Sequence, residues 1–211
     1  SLTANPSNVR SLVINSGATL EGAGATTLNL NLATSTNFVN NGTFNANGVT
    51  VRLARNSTWD GAGVFNLDAI NLNARRLTLA FSSPETVSVS AAGNPFLNAG
   101  TLVPGSNSTI RFDGSAAQTL AVSTLNFNRV IVDNPAGVTA NATITSSKLS
   151  GDLSVVSGQL DNGGFAVTLA AGKDFTIADG ATYRTGGTNA LPTVSSGGTV
   201  SLGSTSTVEY Y

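Results

Sequence analysis

Three short stretches in the second half of the chain decide the fold: LSVVSGQL (153–160), DFTIADGATY (174–183) and GGTV (197–200). In each of them a glycine stands two or three residues before an apolar side chain. The first two stretches also carry β-branched residues ahead of that glycine, which is typical of a strand that ends in a turn. The glycines at 158, 180 and 197 are roughly 20 residues apart, a period typical of one coil of a β-solenoid.

The same glycine turn recurs in the first half of the chain, with short β-branched runs between the turns. The turns are SGATL (16–20), NGTF (41–44) and AGTL (99–102). The runs that predict strands are residues 11–15, 49–53, 86–90, 129–133 and 174–178. No run shows apolar residues spaced three and four apart over ten positions, so almost no helix is predicted. A period of about 20 residues predicts nine or ten coils with two or three short strands each.

This pattern predicts an all-β fold, a parallel β-helix that is right-handed and forms a single elongated body. Leu, Val, Ile, Phe and Ala fill the interior of such a coil, while Thr, Ser and Asn alternate outward. Stacked Asn side chains at the turns can then pair their amides along the axis. Antiparallel β-sandwich repeats are the alternative, because they also combine short strands with frequent turns.

A longer period is visible as well. STIRF (108–112) recurs as STVEY (206–210), and a Gly-Ser turn precedes each copy. This unit of about 98 residues divides the chain into two sets of coils. Residues 1–105 are the first set, with a degenerate repeat, and residues 106–211 are the second, which ends inside the next repeat unit.

Composition argues against several classes of partner. The net charge is −1 and the pI about 5.2, so no nucleic-acid partner is predicted. The pair Arg75 and Arg76 is interpreted as a solvated turn. No apolar run is long enough to span a membrane. The low charge and the Ser/Thr/Asn/Gly/Ala-rich texture favour an extracellular or cell-surface location.

No catalytic, cofactor-binding or metal-binding residue is predicted, and the chain is not expected to be an enzyme. There is no His and no Cys, which removes the usual serine–histidine and zinc arrangements. Asp152, Asp161, Asp174 and Asp179 are interpreted as turn formers rather than metal ligands. The run NGGFAV (162–167) lacks the third Gly and the Asp of the calcium-binding nonapeptide.

Three further patterns bear on ligand binding or modification. Trp59 is the single tryptophan that could stack on a sugar. The Asn-x-Thr matches at Asn41, Asn56, Asn107 and Asn141 are interpreted as turn residues. The Thr-x-Thr pairs at 34–36 and 143–145 are too few for an ice-binding array.

The second half of the chain resembles the β-strand repeats of large Bacteroidota surface proteins. The likeness lies in residues 110–120, 125–139 and 153–160 and extends over about 106–211, with a departure at Arg129, where Leu is usual. It implies a structural or adhesive module, similar to adhesins and extracellular filament components. Its expected partners are other copies of itself, end to end or side by side, or surface glycans. A polysaccharide-binding or polysaccharide-cleaving β-helix is the alternative.

Overall fold

The computed structural model describes residues 9–23, 27–33, 37–187 and 190–211. Over these residues the chain is all-β, contains no helix, and stacks its strands in parallel as a β-solenoid of about 8 turns. The parallel β-helix is thereby confirmed. The antiparallel sandwich is wrong, because the strands pair in parallel throughout the described residues. The chain divides into two compact units, residues 1–91 with 95–109, and residues 92–94 with 110–211.

Each full coil of the first unit carries three short strands, one in each of three parallel sheets. In chain order the strands are β1 (Leu12–Ile14), β2 (Thr19–Glu21), β3 (Thr27–Leu30), β4 (Phe38–Asn40), β5 (Thr43–Asn45), β6 (Thr50–Leu53), β7 (Ser57–Asp60), β8 (Val64–Leu67), β9 (Ala69–Asn71), β10 (Arg76–Leu79), β11 (Glu85–Val89), β12 (Phe96–Leu97) and β13 (Thr101–Pro104). The sheets follow the orders β1-β4-β7-β10-β13, β2-β5-β8-β11 and β3-β6-β9-β12. Every third strand therefore returns to the same sheet, as one strand per side of a coil requires.

The ladders hold equivalent residues of successive coils in columns. Phe44, for example, pairs with Leu20 before it and Phe65 after it, and all three point inward. The number of residues along the chain between paired strand positions is not constant. It is smaller between Thr50 and Ala69 and larger between Leu12 and Phe38. The prediction of nine or ten coils was therefore wrong, because longer corner loops make several coils longer than the glycine spacing indicated.

Aromatic side chains from several coils meet in the core of the first unit. Trp59 is fully buried, with its ring centroid 5.3 Å from that of Phe38 and 5.9 Å from that of Phe65. Its indole Nε1 donates a hydrogen bond to the Ser57 hydroxyl at 3.1 Å, so its single polar atom is satisfied inside the core. Aromatic contacts of this kind add stability beyond the area they bury.

The second unit contains the remaining strands, the first of which begins two residues before the boundary. They are β14 (Ser108–Phe112), β15 (Gln118–Leu120), β16 (Arg129–Ala140), β17 (Leu153–Asp161), β18 (Thr168–Ala171), β19 (Phe175–Ile177), β20 (Thr182–Thr185), β21 (Thr193–Ser195), β22 (Val200–Leu202) and β23 (Thr207–Tyr210). The main sheet follows the order β14-β16-β17-β19-β22. The second half of β17 pairs with β20, which pairs with β23, and β18 pairs with β21.

Strand β16 is longer than the sequence predicts. The run 129–133 was expected to end in a turn at the following Asn-Pro-Ala-Gly, but pairing with β17 continues to Thr139 through two register shifts. Asn134 is fully buried, and its Nδ2 donates to the Ala116 carbonyl and to Gln118 Oε1, both at 2.8 Å. Its Oδ1 accepts from the Ala136 amide at 2.7 Å. The hydrogen bonds of the Asn134 side chain thus take the place of the backbone ladder hydrogen bond that Pro135, which has no N–H, cannot donate.

The two copies of the long period share one local structure. The Gly105 carbonyl accepts hydrogen bonds from the Ser108 amide at 3.0 Å and from the Ser108 hydroxyl at 2.8 Å. The Gly203 carbonyl accepts the same two bonds from Ser206, at 3.1 and 2.7 Å. A strand follows each of these turns, β14 in one case and β23 in the other. The sequence recurrence therefore corresponds to a recurrent turn and strand.

Candidate functional site

Polar side chains on the outer faces form columns that link successive coils. In the first unit, Asn45 Nδ2 donates to Glu21 Oε1 at 3.1 Å, and Asn66 Nδ2 donates to Asn45 Oδ1 at 2.8 Å. On another face, Asn98 Nδ2 donates to Asn71 Oδ1 at 3.1 Å. Stacked Asn amides therefore pair as predicted, but Asn45 and Asn66 lie within strands and not at the turns where the pairing was expected.

In the second unit the corresponding columns carry charge. Arg184 lies between two carboxylates of adjacent coils, 3.3 Å from Asp161 and 3.2 Å from Glu209. The guanidinium also lies 4.2 Å from the ring centroid of Tyr211, whose hydroxyl donates to Asp161 at 2.9 Å. That hydrogen bond to a carboxylate raises the pKa of Tyr211, and burial adds to the shift. The charges alternate in sign along the column and so stabilise it.

A second charged column runs beside the bulge of β16. Arg111 forms an ion pair with Asp133, which also accepts a hydrogen bond from the Ser157 hydroxyl. The pKa of Asp133 lies below its ordinary value because of this Ser157 bond; burial opposes the shift and Arg111 reinforces it. Arg129 lies 3.3 Å from Asp152 on the next coil. This ion pair joins two adjacent coils.

The aspartates that follow along the chain accept hydrogen bonds from neighbouring coils. Asp174 Oδ1 accepts from the Thr199 amide at 2.9 Å and from the Thr199 hydroxyl at 2.8 Å, and its own amide donates to Asp152 at 3.1 Å. Asp179 Oδ1 accepts from the Ser204 hydroxyl and the Thr205 amide, both at 3.1 Å. These donors lower the pKa values of Asp174 and Asp179. A general acid needs a raised pKa, so both carboxylates suit structural bonding better.

Asp161 and the glycine run after it form a closed turn. Asp161 ends β17, and its Oδ1 accepts from the Gly163 amide at 2.7 Å. Asn162 is buried, its Oδ1 accepts from the Gly164 amide at 2.9 Å, and its Nδ2 donates to Thr185 Oγ1 at 2.8 Å. The polar atoms of this turn thus bind one another. Across residues 9–23, 27–33, 37–187 and 190–211, no three His, Cys, Asp or Glu residues group as metal ligands would.

The other residues singled out by the sequence lie as follows. Trp59 is fully buried and so cannot stack on a sugar. Thr143 and Thr145 are exposed on either side of the buried Ile144, and the pair at 34–36 lies outside the described residues. Each of the four Asn-x-Thr asparagines bonds to a neighbouring coil: Asn41 to the Ala62 amide, Asn56 to the Arg76 amide, Asn107 to the Phe81 carbonyl and Asn141 to Ser123.

Exposed arginines occupy one corner of the first unit, where the sequence indicated only a solvated turn. A depression of about 370 Å³ is lined by Arg55 and Arg75 together with Ala54 and Asn56. A second depression of about 150 Å³ contains Arg55 again, now beside Arg10, Asn31 and Ala33. The separation of Arg55 and Arg75 by a single coil period is the signal that sequence reasoning missed. We call Arg10, Arg55 and Arg75 the arginine corner.

The part of the chain that the structure describes contains no helix long and apolar enough to cross a membrane. No protein-family model, curated protein or solved structure matches the chain.

Proposed function

We propose that this chain is a structural or adhesive module of an extracellular or cell-surface repeat protein, and that it acts as a stiff β-helical spacer or filament subunit. The Bacteroidota-like repeats of residues 106–211 and the low charge of the chain support the location. The columns between coils support the mechanical role. The observation that carries the proposal is the charged column Asp161–Arg184–Glu209, which joins three successive coils by ion pairs.

Three kinds of bond join each coil to the next, and this redundancy supports stiffness. Backbone ladders run along the sheets, buried apolar columns fill the inside, and Asn or charged columns run along the outside. The column Asp161–Arg184–Glu209, for example, crosses three coils. A bend between two coils would open several ladder hydrogen bonds at once, each contributing about 1 kcal/mol. A rigid spacer requires this resistance.

The apolar side chains of β22 are more exposed than the residues with which they pair. Val200 and Leu202 on β22 pair with Phe175 and Ile177 on β19. Phe175 and Ile177 are fully buried, whereas Val200 is 37% and Leu202 47% exposed. Among the described strands, β22 pairs only with β19, so its other edge is open. An open parallel edge with inward apolar side chains is a template for another strand.

Where no further coil of the same chain follows β22, we propose that a second copy of the chain occupies this edge. Contact of this edge with a different edge of another copy joins copies head to tail, an arrangement that builds open filaments rather than closed dimers. The apolar columns that already join the coils would continue across the contact.

Sedimentation velocity over a range of protein concentrations, with negative-stain electron microscopy, tests this assembly. The variant is Leu202→Lys, which places a charge on the open edge. The matched control is Val64→Lys, because Val64 is similarly exposed at 50% but lies on β8, which pairs with strands on both sides. We expect the wild type and Val64→Lys to form concentration-dependent end-to-end species and Leu202→Lys to remain monomeric.

The filament subunit and the stiff spacer are two forms of the proposal, and a different result would contradict each of them. Assembly that survives Leu202→Lys, or a wild type that is monomeric at every concentration, excludes the filament subunit with this edge as its contact. The spacer is tested by single-molecule force spectroscopy on the same chain. Unfolding at forces no higher than those of an ordinary helical domain would exclude a stiff spacer.

A further inference from the structure

The arginine corner lies where the chain passes from the third sheet of one coil to the first sheet of the next. Residues 54–56 and 72–75 form this corner on successive coils, because β6 pairs with β9 and β7 pairs with β10. Arg10 occupies the same corner two coils before Arg55, since Val9 bridges Leu30, and Leu30 pairs with Leu53. The three arginines therefore follow one line along the first unit.

The fold does not neutralise the charges of Arg55 and Arg75. In the second unit, Arg111, Arg129 and Arg184 each pair with a carboxylate of an adjacent coil. By contrast, Arg55 and Arg75 form no ion pair with any residue that the structure describes, although both are exposed. These two guanidinium groups are the ones on which the inference rests.

The carboxylates of the first unit are bound elsewhere. This unit contains five arginines and four carboxylates, a net charge of +1, whereas the second contains five basic and seven acidic residues, a net charge of −2. Glu21 accepts from Asn45, and the Asp60 carboxylate accepts from the Gly61 amide. Asp68 accepts from Ser90, and Glu85 accepts from Ser83. Among the described residues, none of these four carboxylates forms an ion pair with Arg55 or Arg75, so the charges of these two arginines are open to a ligand.

We propose that the arginine corner binds an anionic polysaccharide, a chain of sugars that carries carboxylate or sulfate groups. A guanidinium group presents paired donors that match the two oxygens of a carboxylate or sulfate. Asn56 lines the larger depression, and although its Oδ1 accepts from the Arg76 amide, its exposed Nδ2 can donate to sugar hydroxyls. This inference goes beyond the structural role and does not depend on it.

The spacing of the corner suits an extended polymer. Adjacent strands of a sheet lie about 4.8 Å apart, so the corner positions of Arg55 and Arg75 are about 5 Å apart and that of Arg10 about 10 Å further along. These steps correspond to the length of one or two sugar residues in an extended chain. Two shallow depressions that share Arg55 also fit a linear ligand better than a compact one.

Nucleic acid is the less favoured polyanion. Proteins that bind single strands combine a basic groove with aromatic side chains on which bases stack. Among the described residues the exposed large aromatics are Phe165, Tyr210 and Tyr211, all in the second unit, and Trp59 is fully buried. A net charge of −1 for the whole chain also gives little long-range attraction for a phosphate backbone.

Isothermal titration calorimetry with the full chain at low salt tests the site. The probes are polygalacturonate oligomers for carboxylates, chondroitin sulfate for sulfates, dextran as the uncharged polymer, and a single-stranded oligodeoxynucleotide. The variants are Arg55→Gln, Arg75→Gln and the double substitution. Arg52→Gln is the matched control, because it removes the same charge from the same unit at a residue that bonds Asn29 away from the depressions. Far-UV circular dichroism and thermal melts establish that each variant is folded.

We expect at least one acidic polysaccharide to bind and dextran not to bind. Each single substitution should weaken binding about three- to tenfold and the double substitution by more, with a shallower salt dependence. Arg52→Gln should stay within about twofold of wild type. Failure of both acidic polysaccharides to bind, or equal weakening by Arg52→Gln, overturns the site. Tighter, corner-dependent binding of the oligodeoxynucleotide overturns the ligand class.

Discussion

Replacing Gly158 by alanine tests whether the glycines serve the turns alone or also the stacking of coils. Gly158 lies within β17 at a φ of +67°, opposite Asn134 on β16. A Cβ atom there would stand 1.8 Å from the Asn134 carbonyl oxygen and 2.9 Å from Pro135 Cα. Both are backbone atoms of the adjacent coil, so no side-chain rotation can relieve the overlap.

Gly180 provides the matched comparison in the same unit. Its φ is +75°, but an added Cβ would meet nothing within 4 Å. For Gly180→Ala, a left-handed alanine costs about 1–2 kcal/mol, and the stiffer unfolded chain offsets about 0.4–1 kcal/mol. We therefore expect a net loss of about 1 kcal/mol. Gly158→Ala adds an overpacking cost of about 1–3 kcal/mol or more, which gives a total of about 3 kcal/mol or above.

Urea unfolding followed by far-UV circular dichroism measures this difference. A gap of about 2 kcal/mol between the two variants corresponds to roughly 4–8 °C in melting temperature for a chain of this size. Equal losses for Gly158→Ala and Gly180→Ala would refute the reasoning, since they would mean that backbone conformation alone requires the glycine. The m-value should match that of wild type in both, because the surface exposed on unfolding is unchanged.

Two further predictions concern buried aromatic residues. Trp59→Ala should cost about 3–5 kcal/mol, because it leaves a cavity beside Phe38 and Phe65, whereas Val64→Ala on the exposed face should cost below about 1 kcal/mol; similar urea midpoints for both would contradict this. Burial raises the pKa of Tyr183 from 10.0 to about 12, so its neutral form contributes stability that is complete below pH 10 and is lost as the pH rises towards 12. The buried Tyr183 hydroxyl makes no well-aligned hydrogen bond to the described residues, so Tyr183→Phe should be as stable as wild type at neutral pH. It should lose less stability than wild type in urea unfolding between pH 10 and 12, and identical losses would exclude Tyr183 as the cause.

Local sequence signals predicted the parts of the fold that depend on local chemistry. Runs of β-branched residues mark strands such as β6 and β19, and the regular spacing of the glycine turns predicts coils that stack in parallel. The end of β16 could not be predicted, because Asn134 continues the ladder through bonds to Ala116 and Gln118 on the preceding coil. A proline and a glycine in that run are ordinary turn signals, and only the adjacent coil changes their meaning.

The contacts between core side chains were harder to predict from the sequence, for a related reason. Alternation predicts that Trp59 and Phe38 point inward, but not that their rings meet. That contact depends on the pairing of these two residues on adjacent strands, and the lengths of the corner loops between the strands determine this pairing.

The arginine corner contains one separation that could be predicted from the sequence and one that could not. Arg55 and Arg75 are separated by one coil period that the sequence contains, whereas the two coils between Arg10 and Arg55 are longer because their corner loops are longer.

The narrow range of steps between strand partners bears on how the chain folds. All the strand pairings among the described residues join positions one coil apart, from Thr50 with Ala69 to Leu12 with Phe38, which corresponds to a relative contact order of roughly 0.1. Parallel sheets generally require distant segments to meet before any contact forms, and they fold slowly for that reason. Here the loop to be closed never grows with chain length. Once two coils have formed, each later coil can add at about the same entropic cost, so a chain emerging from a ribosome can fold progressively as it appears.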